Sequence, residues 1–240
     1  MADQLRLDKY LADMGIGTRS EVKDWIRKGR VSINQVICKK PDNKVDLVGD
    51  EVYFDQVRVN YRRYLYLMLH KPAGYVSATT DHVNRTVLEL IKDRQGKELF
   101  PVGRLDKDTE GLLLLTNDGE LAHRLLSPRK HVDKVYYAKV AGIVTAEDQE
   151  AFARGVPIEE DYITLPAKLH ILHSDEVSEI ELTIQEGKFH QVKRMFETVG
   201  KEVLYLKRLS MGGLLLDPSL ALGEYRELTE EEIAYLKQLG

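Results

Sequence analysis

Along the first part of the chain, apolar residues fall into short groups of different period. Leu7, Tyr10, Leu11 and Met14 recur at helical spacing, and Gly15 follows as a stop. Thr18 opens a second helix, and Glu21 completes a capping-box pattern with it. Val22, Trp25 and Ile26 form the apolar stripe of that helix, which ends near Gly29. Val31 and Ile33 alternate with polar neighbours and predict a short strand; Val45, Leu47, Val52 and Phe54 predict further short strands around a Gly49-Asp50 turn. The stretch from Asp55 to Arg63 is polar and basic with little periodicity, which reads as a connector. We place a small unit of two helices and a small sheet at 1–57, a linker at 58–64 and a larger domain at 65–240.

In the larger domain, Tyr64 to Leu69 predicts a strand closed by the turn Lys71-Pro72-Ala73-Gly74. A short helix is expected over Thr86–Lys92, a buried strand over Leu112–Leu115 and a helix over Glu120–Leu126. Val135–Val140 predicts a strand, and Thr145 opens a helix ending near Gly155. Ala167–Leu172 and Val177–Ile184 predict an antiparallel pair. Phe189–Val199 predicts a helix, Val203–Leu209 a strand, and Thr229 starts a final helix. Strands outnumber helices, and no regular βα alternation is present. The expected class is α+β with a mixed, mostly antiparallel sheet.

Composition narrows the function classes. No apolar run approaches the roughly 20 residues of a membrane span, and the start MADQLRLDKYL lacks a signal-peptide pattern. A cytoplasmic protein with no membrane partner is expected. Cys38 is the only cysteine, so neither an internal disulfide nor a thiolate zinc site is expected. The histidines show no metal-ligand spacing, and no metal is expected. The net charge of -4 does not favour nucleic acid, but local charge does. Arg19, Lys23 and Arg27 stand four apart on the second helix and form one basic ridge beside its apolar stripe, extended by Lys28 and Arg30.

For an arbitrary protein a solvated helix face is the commoner explanation of such a ridge, since charged helix faces are frequent. The run Arg6-Leu7-Asp8-Lys9-Tyr10-Leu11, with Gly15, Thr18-Arg19, Ile26, Gly29-Arg30-Val31, Ile33-Asn34 and Gly49-Asp50, resembles the S4 RNA-binding domain. Gln35 stands where that family usually has glycine in its hairpin. The resemblance implies that Arg19, Lys23, Arg27 and Arg30 meet structured RNA through phosphate and shape.

The most informative stretch is Gly103-Arg104-Leu105-Asp106-Lys107-Asp108-Thr109-Glu110-Gly111, followed by the apolar run Leu112–Leu115. A charged loop delivered by a buried strand is a rigid support for a reactive group. Residue type does not rank Asp106, Asp108 and Asp118 for such a role, although Asp118 before Gly119 reads as a turn residue. The loop resembles the signature of the RsuA-type pseudouridine synthases. Lys71-Pro72-Ala73-Gly74-Tyr75, Lys134-Val135-Tyr136 and Glu186–Met195 resemble further motifs of that family, in the same order. The resemblance implies that Asp106 is the catalytic carboxylate, that Tyr136 is the active-site tyrosine, and that Arg104 occupies the space left by an extruded base. Lys71 and Arg194 are added as RNA contacts.

Helical geometry bears on the last motif. Phe189, Val192, Met195, Phe196 and Val199 form a stripe, with Lys193 at its edge and Arg194 pointing further out. Lys193 is therefore expected to partner Asp106. On the strand, Tyr136 and Tyr137 must face opposite sides.

The implied reaction detaches uracil from C1′, turns it and rejoins it through C5, so no cofactor is expected. Asp106 acts either as a nucleophile at C1′ or as a base on the ribose. The expected partner is ribosomal RNA, 16S or an assembling small-subunit particle, acted on by a monomer. The short C-terminus with the S4-like domain leans to 16S by resemblance. The competing readings are a large-subunit (23S) synthase, a glycosylase that releases free uracil, and a non-catalytic RNA-binding or ribosome-assembly protein.

Overall fold

A computed structural model describes residues 4–94, 97–127 and 130–239. They divide into two compact units, one running to Leu65 with Asp93–Glu98, the other comprising Tyr66–Lys92 and the chain from Leu99.

The first unit contains β1 (Gln4–Arg6), α1 (Leu7–Asp13), α2 (Arg19–Arg27), β2 (Val31–Ile33), β3 (Val36–Ile37), β4 (Lys44–Asp46), β5 (Val52–Phe54) and β6 (Val57–Val59). Its core is built from the predicted stripes: Leu7, Leu11, Val22, Ile26, Val45 and Val52 are fully buried. Thr18 caps α2 as expected. Its hydroxyl accepts from the Glu21 amide, and Glu21 accepts from the Thr18 amide at 2.9 Å. β1 pairs with β4, and a second sheet runs β3-β2-β5-β6. Both hairpins of that sheet turn on two residues with positive φ, Asn34-Gln35 (50° and 68°) and Asp55-Gln56 (47° and 68°). This is the left-handed pair that a tight hairpin needs. Gln35 therefore holds the turn without glycine, helped by Asn34, whose side chain bonds Asp50 and the Glu51 amide.

The second hairpin corrects the expected linker. Arg58 and Val59 of the predicted 58–64 segment lie in β6, paired to β5, and the Tyr10 hydroxyl donates to the Val59 carbonyl at 2.6 Å. Strands of three residues show little alternation, and the Asp55-Gln56 turn carries no glycine to mark it.

The second unit follows the order β7 (Tyr66–Lys71), a 3-10 turn (Val87–Leu90), β8 (Phe100–Pro101), β9 (Glu110–Thr116), α3 (Gly119–Leu126), β10 (Lys134–Ala141), α4 (Ala146–Arg154), β11 (Pro157–Glu159) and β12 (Tyr162–Ile163). It continues with β13 (Lys168–His173), β14 (Val177–Ile184), α5 (Gln191–Thr198), β15 (Glu202–Met211), β16 (Leu214–Leu215), β17 (Tyr225–Glu227) and α6 (Glu230–Gln238). The main sheet runs β13-β14-β10-β15-β9-β7-β17; the β15–β9 ladder is parallel and the other ladders on this path are antiparallel. This is the mixed, mostly antiparallel α+β arrangement expected from the sequence. Leu112 to Leu115 are buried at the centre of the sheet, which fixes β9 and with it the charged loop that precedes it. At Gly111 (φ +106) a Cβ would fall 2.2 Å from the Arg208 carbonyl oxygen, so only glycine lets β15 lie against the loop end of β9. Asp118 is an N-cap: its carboxylate accepts from the Leu121 amide at 3.1 Å.

Candidate active site

The loop before β9 is held from below by the last residue of β7 and the segment that follows it. Lys71 is fully buried. Its ammonium donates to the carbonyls of Thr109 (2.7 Å), Asp106 (3.0 Å), Pro72 (3.1 Å) and Lys107 (3.3 Å). Gly74 N–H donates to the Lys107 carbonyl at 2.7 Å, and the Ser77 hydroxyl accepts from Leu105 N–H and donates to its carbonyl. Burial pulls the Lys71 ammonium down to about 8, against the raising influence of Asp108, Asp106 and Glu110. The expectation of Lys71 as an RNA contact is therefore corrected: no part of it reaches solvent, and its charge is spent inside the loop.

Above the loop lies a small open cleft whose lining includes Arg104, Asp106, Thr109, Tyr136, Lys188 and His190. Tyr136 projects from β10 and is 7% exposed. Its neighbour Tyr137 faces the other side of the sheet, beside Tyr205 and bonded to Glu179, as strand alternation requires. Arg104 is exposed on the lining. Lys193 reaches in from α5 with its Nζ 3.7 Å from Asp106 Oδ2, so the sequence-expected Asp106, Tyr136, Lys193 and Arg104 converge on one place.

Lys193 is, however, bonded more tightly to Asp108, at 2.7 and 2.8 Å. Burial raises the Asp108 carboxyl, but the Lys193 hydrogen bond and charge outweigh it and leave the group below its usual range. On the other side, His190 Nε2 stands 3.8 Å from Asp106 Oδ1. Asp106 thus has a cationic or potentially cationic group at each oxygen, neither at close hydrogen-bond distance. Its lone pairs remain available to a substrate.

Sequence reasoning missed His190 and Asp108 as neighbours of Asp106. It also missed the clamp that shapes the turn before α5. Buried Glu186 accepts from Leu165 N–H, from the Gln191 amide nitrogen and from the Tyr162 hydroxyl. Gln191 in turn accepts from Lys188 N–H. The hydrogen bond to Glu186, with burial, pushes the Tyr162 hydroxyl up to about 12. Two further expectations change. Phe189 lies outside α5 and is 70% exposed, so it is not part of the helix stripe. Arg194 does not point outward to RNA; it is committed to Glu159 at 2.8 Å and to the Ile158 carbonyl, tying α5 to β11.

In the first unit, Arg19, Lys23 and Arg27 form the expected ridge and remain 54%, 39% and 62% exposed. Arg19 and Lys23 lean toward the buried carboxylate of Asp8, at 3.7 and 3.9 Å, which Arg6 already grips with two hydrogen bonds. One buried anion therefore gathers three exposed cations. Arg30 is less free than expected: it pairs with Asp55 and lies over the rings of Trp25 and Phe54.

Among the described residues no group of His, Cys, Asp or Glu is arranged to hold a metal ion, and no helix is long and apolar enough to cross a membrane.

Comparison with known proteins gives a consistent family. The model of the RNA pseudouridylate synthase family matches residues 65–198, and that of the S4 domain matches residues 5–52. An uncharacterised RNA pseudouridine synthase of Bacillus subtilis is 51% identical over 98% of this chain and 99% of its own. A ribosomal small subunit pseudouridine synthase A of Vibrio cholerae is 40% identical over 96% and 98%. A ribosomal large subunit pseudouridine synthase B of B. subtilis is 39% identical over 98% and 96%. A crystal structure of a pseudouridylate synthase, 40% identical, superposes over 97% of this chain and 99% of that one with a TM-score of 0.68. With the loop, the cleft and these relatives in agreement, the chain belongs to the RNA pseudouridylate synthase family and is a pseudouridine synthase carrying an S4 domain.

Proposed function

We propose that this enzyme isomerises one uridine of small-subunit (16S) ribosomal RNA, with Asp106 as the catalytic carboxylate. The observation that carries the reading is the convergence of Asp106 and Arg104, on a loop tethered from beneath by Lys71, with Tyr136 of β10 and Lys193 of α5 around one cleft. A uridine within folded RNA must leave its stack to reach that cleft. Arg104 fills the space behind it, and Tyr136 stacks against the extruded uracil. As the bond from C1′ to the base breaks, the sugar becomes electron-poor. Asp106 stabilises it as a glycosidase carboxylate does, by covalent attack at C1′ or after taking a ribose proton. Lys193 and His190 flank the carboxylate and keep it oriented. The base stays in the cleft, turns and rejoins C1′ through C5, which releases Asp106 from the sugar or returns the ribose proton, and the C5 proton passes to the Tyr136 oxygen as the hydroxyl's own proton leaves to solvent. The exposed ridge of the S4 unit holds neighbouring RNA through its phosphates.

The small-subunit assignment draws on the V. cholerae relative. The large-subunit relative, at nearly the same identity, supports a 23S site as the second reading. Pseudouridines mapped by carbodiimide labelling in 16S and 23S RNA, from cells with and without the gene, decide between them. Loss of one 16S pseudouridine is expected. A loss in 23S instead moves the substrate to the large subunit, and unchanged maps of both reject the assignment to ribosomal RNA.

A further inference from the structure

Phe189 differs from the other phenylalanines of the chain. Phe152 and Phe196 are buried, Phe54 and Phe100 are half-buried, and Phe189 is 70% exposed. Its exposure is imposed by the backbone. His190, just before α5, adopts a left-handed conformation (φ 51°, ψ 30°), uncommon for a residue with a Cβ. That conformation sends the Phe189 ring away from the helix stripe and lays it flat on the His190 imidazole. The centroids are 3.8 Å apart and the planes differ by 18°. The same imidazole stands 3.8 Å from Asp106. A stack of two flat rings therefore rises from the carboxylate at the floor of the cleft to open solvent at its rim.

The surroundings indicate what this stack takes. Gly187 and Lys188, which precede the ring in the chain, are exposed, and Lys188, whose ammonium lies over the Tyr162 ring, lines the cleft with positive charge together with Arg104. A single ring among polar and cationic groups is far too small for a protein interface, which takes roughly 800 Å² per partner. It has the dimensions of one nucleobase, with cations at hand for the attached phosphates.

We propose that Phe189, supported by His190, is a stacking platform for the base adjacent to the uridine drawn into the cleft. This rests on the functional reading above, in which the Asp106 cleft receives a flipped uridine of ribosomal RNA. Flipping deprives the neighbouring base of its stacking partner, and the platform replaces it. Phe189 is then a positioning and specificity residue that acts on RNA binding rather than on bond breaking.

The test uses the full-length enzyme and a ribosomal RNA fragment that the wild type converts. Phe189→Ala and Phe189→Leu are expected to raise KM roughly 5- to 150-fold, the worth of one base–aromatic stack, and to leave kcat within roughly threefold. Phe189→Trp is expected to keep a KM near that of the wild type. A 2-aminopurine placed next to the target uridine should be quenched by the wild type and by Phe189→Trp, and not by Phe189→Leu. Because the ring is exposed, melting temperatures of all three variants should stay close to the wild type. Leucine matching phenylalanine in KM and quenching would overturn the platform, since it would show an apolar contact with no need of a flat face. An unchanged Phe189→Ala would overturn it as well. If the wild type converts no ribosomal uridine, the functional reading itself fails; conversion with an indifferent Phe189 defeats the platform alone.

Discussion

Replacing Lys71 by methionine keeps the length of the side chain and removes its charge. In the folded enzyme the ammonium titrates at about 8 instead of 10.5, mainly because it is buried. That difference amounts to about 3 kcal/mol against the charged form at neutral pH. Set against it are its donations to the carbonyls of Pro72, Asp106, Lys107 and Thr109. Three N–H groups in charge-assisted bonds contribute about 4.5–9 kcal/mol. The methionine variant should therefore be destabilised by about 2–6 kcal/mol. For a chain of this size that is a fall in Tm of roughly 5–20 °C. The loop carrying Asp106 also loses its tether, and a displacement near 1 Å lowers kcat by about 100-fold.

The same group separates activity from stability with pH. Its folded pKa is depressed, so between about pH 8 and 10.5 the unfolded chain binds more protons. Its contribution to stability thus rises across that window. Activity should do the opposite. Above about pH 8 the neutral amine retains only two N–H donors for four carbonyls, and the loop loosens. Wild-type kcat is expected to decline through pH 8 without a matching loss contributed by Lys71 to Tm, and the Lys71→Met variant should lack that decline. Thermal melts and pH profiles of kcat on both proteins test this. A variant with wild-type kcat at pH 7 would refute the reasoning. So would an alkaline decline that survives the substitution, which would assign it to another buried group such as Lys134, also held at about 8.

Asp106→Asn should abolish pseudouridine formation while RNA affinity in a filter-binding assay stays within a few fold, and near-normal turnover would remove Asp106 from its role. Replacing Arg19, Lys23 and Arg27 together by glutamine should flatten the salt dependence of RNA binding by about 2–3 in log K per log salt, the share of three phosphate contacts. An unchanged slope with an unchanged Tm would leave the ridge as plain surface. Gly111→Ala places a Cβ against the backbone of Arg208 at positive φ, so it should cost about 2–6 kcal/mol and lower Tm in a thermal melt; a neutral effect would show that β9 and β15 can separate there.

Where apolar spacing was strong, the elements were readable. The stripe of α2, with its Thr18–Glu21 box, and the buried run of β9 were both legible because burial of a regular face dictates them. The β5–β6 hairpin was not, since two three-residue strands joined by Asp55-Gln56 offer neither alternation nor a glycine. Phe189 was misassigned for a related reason. Its spacing continues the stripe of α5, but the left-handed His190 breaks the helix before the pattern can apply.

The site was legible by resemblance and hidden in its supports. The motif directed attention to Asp106, Tyr136 and Lys193, and the fold brings them together. Lys71 was misread because a lysine in a motif of an RNA enzyme suggests a phosphate contact, and residue type does not reveal burial. Its actual partners, the carbonyls of residues 72, 106, 107 and 109, are backbone groups, which leave no mark in a sequence. Asp108 poses the converse case. The Lys193 ammonium lies 2.7 Å from it and 3.7 Å from Asp106. Sequence alone would have assigned the lysine one partner, but the geometry gives it two. The tighter, more exposed pair holds Lys193 in place, and the looser, more buried pair leaves the Asp106 carboxylate without a close hydrogen-bonding cation. A carboxylate bonded as closely as Asp108 would first have to break a charge-assisted hydrogen bond to act. In the proposed reaction, the longer distance at Asp106 is what would suit it, and not its neighbour, to the chemistry at C1′.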